Sequence, residues 1–278
     1  MGLSAFEHLI YGFLSGLTEI FPVSARAHST ILLKVLGAEK ISGLPVLFIH
    51  IAVLAATYLS CKAQLVKMAR ARRLARVPKK RRKRPLDICS LMDSRFLFTM
   101  MLPVVLVDLF YGKISGISFG LLAISILLFV NGILLYIPQF FPGSNKDARS
   151  LSRIEGIVMG IGGSLSAVPG MSGIGASLSV ASMYGVERSY ALNMSLMMNM
   201  AYLAGMIVYD ILGIIRSGVG LFSFQWLLFY ILTAALAFTG AVLAIRIMRA
   251  LAADKGYHIF SYYCWGIALF TFILNLMA

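Results

Sequence analysis

The chain has 278 residues, 59% of them apolar and only 13% charged, at a mean hydropathy of +0.86. Soluble domains run at about 45–50% apolar and about 25% charged, and a core of this size cannot hide the difference, so a soluble globular protein is excluded. The net charge of +14 comes from 25 Lys and Arg against 11 Asp and Glu, but 12 of the basic residues fall between Lys62 and Arg84 with no acid among them, leaving 13 against 11 elsewhere.

Residues 3–36 form the first apolar segment, broken midway by Phe21-Pro22-Val23-Ser24. Proline inside a helix removes a backbone hydrogen bond and clashes with the preceding turn. Groups freed in this way at membrane depth must be satisfied by protein or by cavity water. The first uninterrupted span is 44–61, close to the ~20 residues that cross the hydrocarbon. A basic connection follows at 62–94, with 66–94 as its loop proper. In a soluble protein such a run suggests nucleic acid. In a membrane protein it marks the cytoplasmic side, so no nucleic-acid partner is expected. Anionic headgroups are the expected contacts of 62–84. Spans at 95–111 and 117–141 complete a first half, 1–141. The second half, 149–278, opens on another broken segment, 154–185, interrupted by Pro169-Gly170-Met171-Ser172, and adds spans at 190–214, 224–248 and 258–277.

The two broken segments align at an offset of 148. Glu7, Gly12, Leu17, Ser24, Gly37 and Glu39 fall opposite Glu155, Gly160, Leu165, Ser172, Gly185 and Glu187, and Lys40 falls opposite Arg188. With 62–94 inside, alternation puts 112–116 outside and both 142–153 and 249–257 inside, where their Lys and Arg belong. The first broken segment then opens from outside and the second from inside. The expected fold is an all-α integral membrane protein in a single transmembrane domain (1–278). It is an inverted repeat, each half a re-entrant broken-helix hairpin plus three transmembrane helices. Substrate sites of that architecture lie at the midplane between discontinuous helices. Cys61, Cys89 and Cys264 are odd in number and far apart, and support neither a disulfide framework nor a zinc site.

Ionisable groups at membrane depth are costly and functional by default. The first break places Glu19, Ser24, Arg26 and His28 within ten residues, either as a site or, for Glu19 and Arg26, as an ion pair that braces the turn. The second break, 167–177, carries no charge. It offers Gly170, Ser172, Gly173 and Ser177, and a glycine-rich turn feeding a helix N-terminus is a ready anion site. His50, Asp108 and Asp210 lie in or near spans with no partner fixed by the sequence.

The stretch Gly16-Leu17-Thr18-Glu19-Ile20-Phe21-Pro22-Val23-Ser24, with His28 following, resembles the first signature of the undecaprenyl-pyrophosphate phosphatase family, the bacitracin-resistance type. Pro169-Gly170-Met171-Ser172 resembles the start of its second signature. The resemblance implies an enzyme of the bacterial plasma membrane that hydrolyses a polyprenyl pyrophosphate to the monophosphate, recycling the lipid carrier of cell-wall synthesis. Carried over by position, Glu19 is the acid and the expected ligand of a divalent cation, Mg²⁺ or Ca²⁺. His28 is a catalytic or phosphate-positioning base, and Ser172 a phosphate contact or nucleophile. Ser24, Gly170, Gly173 and Ser177 line the phosphate. Three positions depart from the family pattern: Ser15 replaces a glutamate, Ala25 a serine, and Gly173 the arginine after the second-motif serine. Arg26 is a gain, opposite Ile174 at the 148 offset, and is expected to supply the missing charge to the phosphate. A non-catalytic paralogue that translocates or binds polyprenyl phosphate is the alternative, a scaffold a third, and homodimerisation is open.

Overall fold

The computed structural model describes residues 4–38, 43–117, 119–141, 145–147, 149–217, 224–254 and 256–277. Glu39 and Lys40 of the internal alignment, and Lys255 of the 249–257 loop, lie outside them. Among the described residues the chain is helical, with one isolated bridge between Lys146 and Val186. Six helices are long and apolar enough to cross a membrane: α3 (Gly43–Ala75), α4 (Ile88–Leu109), α6 (Leu121–Tyr136, prolonged by a 3-10 turn to Phe140), α9 (Arg188–Ser217), α10 (Phe224–Asp254) and α11 (Ile259–Met277). The shorter helices are α1 (Ala5–Ile20), α2 (Ala25–Val35), α5 (Tyr111–Ile114), α7 (Arg153–Ser164) and α8 (Gly173–Met183).

Both broken segments are built alike. Ser4 caps α1 and Ser152 caps α7, each with a glutamate three residues on: Glu7 and Glu155 accept from the cap amides at 2.6 Å and return their own amides to the serine hydroxyls. These are reciprocal capping boxes. Each helix run then stops ahead of a proline. Phe21 and Val168, which precede Pro22 and Pro169, are extended because proline's Cδ closes the helical region to the residue before it. The chain turns back through positive φ at Ser24 (66°) and Gly170 (100°), and α2 and α8 begin.

The basic connection is shorter than 62–94. Lys62, Lys67, Arg70, Arg72 and Arg73 belong to α3, which runs on for 14 residues beyond the expected end of the span. Lys and Arg are good helix formers, so the helix outlasts its apolar stretch. The irregular part is only 76–87, and α4 starts seven residues earlier than expected. Asp87 caps it, accepting from the amide and hydroxyl of Ser90, and these bonds hold its carboxyl below the usual range.

Lipid tails are as apolar as leucine, so helix association here depends on close approach rather than on the hydrophobic effect. Glycine supplies that approach reciprocally. α1 lies on α10, with Gly12 against Thr233 and Gly16 against the backbone of Ala237. α7 lies on α4, with Gly156 against Thr99 and Gly160 against the backbone of Met100. α6 packs on α11 where Gly132 faces Trp265, and α3 packs on α9 and α10. Met100, Met159, Met194, Met197 and Met198 fill the centre, while Phe98, Leu102, Leu106 and Leu109 of α4 face outward.

A Cβ at Gly16 would overlap the Ala237 carbonyl, whereas Gly266 faces open space. Gly16→Val is expected to lower stability by about 1–3 kcal/mol, and Gly266→Ala to be neutral or stabilising by up to about 1 kcal/mol. Thermal unfolding of the purified protein in detergent micelles measures both.

Candidate functional site

The two breaks meet. Ser24 Oγ accepts from the amide of Gly170 at 2.9 Å and from that of Ala27 at 3.4 Å. Arg26 Nη1 donates to the carbonyl of Ala167. Fully buried Asn131 of α6 spans both turns, its Nδ2 donating to Pro22 O and its Oδ1 accepting from Ser172 N, each at 2.9 Å. Ser24 is the only non-glycine with positive φ among the described residues. That conformation costs of order 1–3 kcal/mol and aims its hydroxyl across the junction.

Two helix N-termini face the junction. The first four amides of a helix lack intrahelical acceptors. In α2, Ala27 and His28 use the hydroxyl and carbonyl of Ser24; in α8, Gly175 and Ala176 use those of Ser172. Among the described residues the amides of Ala25, Arg26, Gly173 and Ile174 have no acceptor and are left as donors. Both helix dipoles add positive potential there. A small cavity of about 20 Å³ between the turns is lined by Thr18, Glu19, Ser24, Arg26, Ser166, Ser172, Gly173 and Tyr202. It adjoins a larger one of about 370 Å³, lined by Tyr11, Ser15, Glu19, Arg26, Ser29, His50, Tyr111, Tyr202 and Asp210 among others. Glu19, Ala25, Arg26 and Tyr202 belong to both. The larger cavity is lined from the first turns of α3, from α5 beyond the end of α4, and from the later half of α9. It therefore lies toward the end of the bundle remote from the basic segment.

Arg26 is held in place from two sides. Its guanidinium carbon lies 4.6 Å above the centre of the Tyr111 ring, and it bonds the second break through Ala167 O. No ion pair within 4.0 Å joins it to Glu19 among the described residues, so the two do not brace one another. Gly173 admits no side chain, because a Cβ would collide with Gly163 O and Ser166 Oγ. A guanidinium at this junction has to come from the first break, and Arg26 reaches it.

Three expected site residues do not face the cavities. His28 follows Arg26 by two residues, about 200° around the helix. It stacks on Tyr263 of α11, with Nδ1 bonded to Ser24 O at 2.8 Å and Nε2 to the Tyr263 hydroxyl at 2.9 Å. Ser177 lies about 140° around α8 from Ser172 and, fully buried, accepts a bond from Ser195 at 3.0 Å. Gly170 gives its amide to Ser24, and its φ of 100° and contact with Leu127 make it a conformational residue.

His50 and Asp210, left without partners by the sequence, are partners of each other. Nδ1 of His50 donates to Asp210 Oδ2 at 2.6 Å, and its Nε2 is 3.9 Å from Glu19 Oε1. Asp108 lines neither larger cavity; it packs on Gly205 with both carboxylate oxygens buried and unbonded. Asn131 was missed altogether, although a lone amide in an otherwise apolar span is the kind of signal that marks a site.

The expected divalent cation wants several oxygen ligands. Among the described residues no three His, Cys, Asp or Glu side chains come together as a metal shell. Asp210 is committed to His50, and among the described lining residues of the two cavities Glu19 is the other carboxylate. The residues present do not assemble a protein cage for a resident ion.

The model of the family described as bacitracin resistance protein BacA matches residues 8–270. The chain belongs to that family. It is 27% identical to an undecaprenyl-diphosphatase of Methanobrevibacter smithii, over 96% of each chain. It is also 27% identical to one of Thermosipho africanus, over 97% of this chain and all of the other, and 22% identical to one of Alkaliphilus metalliredigens, over 99% and 100%.

Asn131→Leu keeps the branching but not the polar atoms; it leaves Ser172 N without its acceptor, at about 1–3 kcal/mol, and Pro22 O with only the long contact from Cys264 Sγ at 4.0 Å. We expect a lower thermal midpoint and faster amide hydrogen exchange confined to peptides covering 20–24 and 168–175.

Proposed function

We propose that this member of the family is a polyprenyl pyrophosphate phosphatase, which hydrolyses an undecaprenyl-type lipid pyrophosphate to the monophosphate and orthophosphate. The relatives named undecaprenyl-diphosphatase span nearly its whole length. The observation that carries the reading in this chain is the convergence of Arg26 with two helix N-termini on one cavity. Phosphoryl transfer asks little covalent chemistry of the protein and much charge stabilisation and positioning. The amides of Ala25, Arg26, Gly173 and Ile174 hold the terminal phosphoryl oxygens, as helix N-termini do. The Arg26 guanidinium, pre-aligned by Tyr111 and Ala167, neutralises the charge that grows on the bridging oxygen. Ser172 and Ser24 cap the two helices and present their hydroxyls to the phosphate. Glu19 stands at the join of the two cavities, where its carboxylate keeps reactants in register by hydrogen bonding to protonated phosphate or to water.

The chain in this reading is an inverted repeat with two re-entrant hairpins. The reciprocal packing of α1 on α10 and of α7 on α4 supports it, as do the paired capping boxes. The basic segment 62–84 lies on the cytoplasmic side of the plasma membrane against anionic headgroups. The cavity, at the opposite end, faces outward, where it meets the lipid pyrophosphate left after the carrier has delivered its cargo. The lipid's first isoprenyl units leave by a third cavity, of about 170 Å³, bounded by Thr30, Ile117, Phe119 and Ile124.

Purified protein given undecaprenyl pyrophosphate is expected to release orthophosphate. Arg26→Gln is expected to cut kcat/KM by about 10²–10³-fold, the range for losing one transition-state donor, and to abolish binding of the lipid monophosphate; Arg26→Lys, which keeps the charge but not the fork, falls between. Unchanged monophosphate binding in Arg26→Gln overturns the assignment of Arg26. No orthophosphate release by the unaltered protein, with tight monophosphate binding, favours a non-catalytic carrier-binding protein.

A further inference from the structure

The phosphate site as described has a cation and donors but no group assigned to take the proton from water. His28 has both ring nitrogens engaged, with Ser24 O and the Tyr263 hydroxyl, on the face of α2 turned from the cavity. Another imidazole fills the gap. His50, 7% exposed, lines the large cavity from the second turn of α3. Asp210, 160 residues away on α9, fixes it with a 2.6 Å bond at Nδ1. A carboxylate at one ring nitrogen sets both ring orientation and tautomer, which leaves Nε2 as a lone-pair acceptor. That nitrogen is 3.9 Å from Glu19 Oε1, too far for a direct bond, and both groups line the same cavity, where a water can reach the two together. Glu19 in turn borders the small cavity between the helix N-termini.

We propose that His50, oriented by Asp210, is the general base of this site, in place of His28; the inference rests on the phosphatase reading above. Water held between Nε2 and Glu19 attacks the terminal phosphorus. The new O–P bond forms as the bridging P–O bond breaks, and that electron pair leaves on the oxygen of the lipid monophosphate. The water proton passes to His50 Nε2 and from there to the departing orthophosphate, which restores the neutral imidazole. Asp210 stays ionised and acts through His50, as a positioning residue. The arrangement places the acceptor of the proton and the cation that holds the phosphate on different helices, α3 and α2, on either side of Glu19.

The test uses the full-length protein in lipid nanodiscs with undecaprenyl pyrophosphate, following orthophosphate release. His50→Ala is expected to lose about 10²–10⁴-fold in kcat, the range for a positioned acid–base group, with KM within about threefold, and added imidazole is expected to restore part of the rate. His50→Gln, which retains a polar side chain of similar reach, loses kcat to the same extent and guards against a folding defect in the alanine variant. Asp210→Asn is expected to lower kcat by about 10–100-fold at unchanged KM, with Asp210→Glu recovering part of it. His28→Ala loses less than either His50 variant. A His50→Gln protein that turns over at the unaltered rate overturns the proposal, as does loss of turnover in His28→Ala alone. Failure of the unaltered protein to release orthophosphate at all overturns instead the phosphatase reading on which it stands.

Discussion

The structure depends on a constraint imposed by its solvent. Backbone groups freed inside a bilayer have no water to turn to, and each left unsatisfied costs several kcal/mol. If the two broken segments are re-entrant, as proposed above, their proline breaks create such groups in two places. The chain solves both problems by bringing the breaks together, so that Ser24 receives Gly170 N–H, Asn131 ties Pro22 O to Ser172 N–H, and Arg26 reaches Ala167 O. The junction is therefore specified as tightly as any core contact. It also leaves four first-turn amides over, because capping serves only two per helix. In the proposed reading, the anion site is the remainder of a satisfied polar network.

Around that remainder the charges are sorted by helix. The guanidinium enters from α2, backed by the face of Tyr111, and the carboxylates enter from α1 and α9 with the imidazole of His50 on α3 between them. Gly173 shows why the cation has one source only. α8 starts against Gly163 O and Ser166, with no room even for a methyl group. A long cationic side chain at that position and this backbone packing exclude one another, and the guanidinium of Arg26 reaches the same junction from the other break.

Much of this was legible in the sequence. Six apolar stretches gave the spanning helices, and Phe21-Pro22 and Val168-Pro169 gave the breaks, because hydropathy and proline act locally. What the motifs did not convey was of two physical kinds. One is helical phase: His28 and Ser177 sit about 200° and 140° from their neighbours Arg26 and Ser172, where they bond Tyr263 of α11 and Ser195 of α9. Long-range pairing was invisible: nothing near His50 announces Asp210, 160 residues on, and nothing near Asn131 announces that it touches both breaks. The end of α3 erred for a third reason, since hydropathy falls at Lys62 while helix propensity does not.

The length of α3 bears on how the two charged regions of the protein relate. Its 33 residues extend about 50 Å, against a hydrocarbon thickness of about 30 Å. Counted from His50 in the cavity, Lys62 lies about 18 Å and Arg73 about 35 Å along the helix. Ions shorten the reach of an exposed charge to about 8 Å at physiological salt. The two regions are electrostatically insulated: most of the formal +14 lends no attraction to a ligand approaching the cavity, and the capture of a polyanion there is a short-range matter for one guanidinium and four amides. Ionic strength will accordingly act on one face of this protein while leaving the other almost untouched.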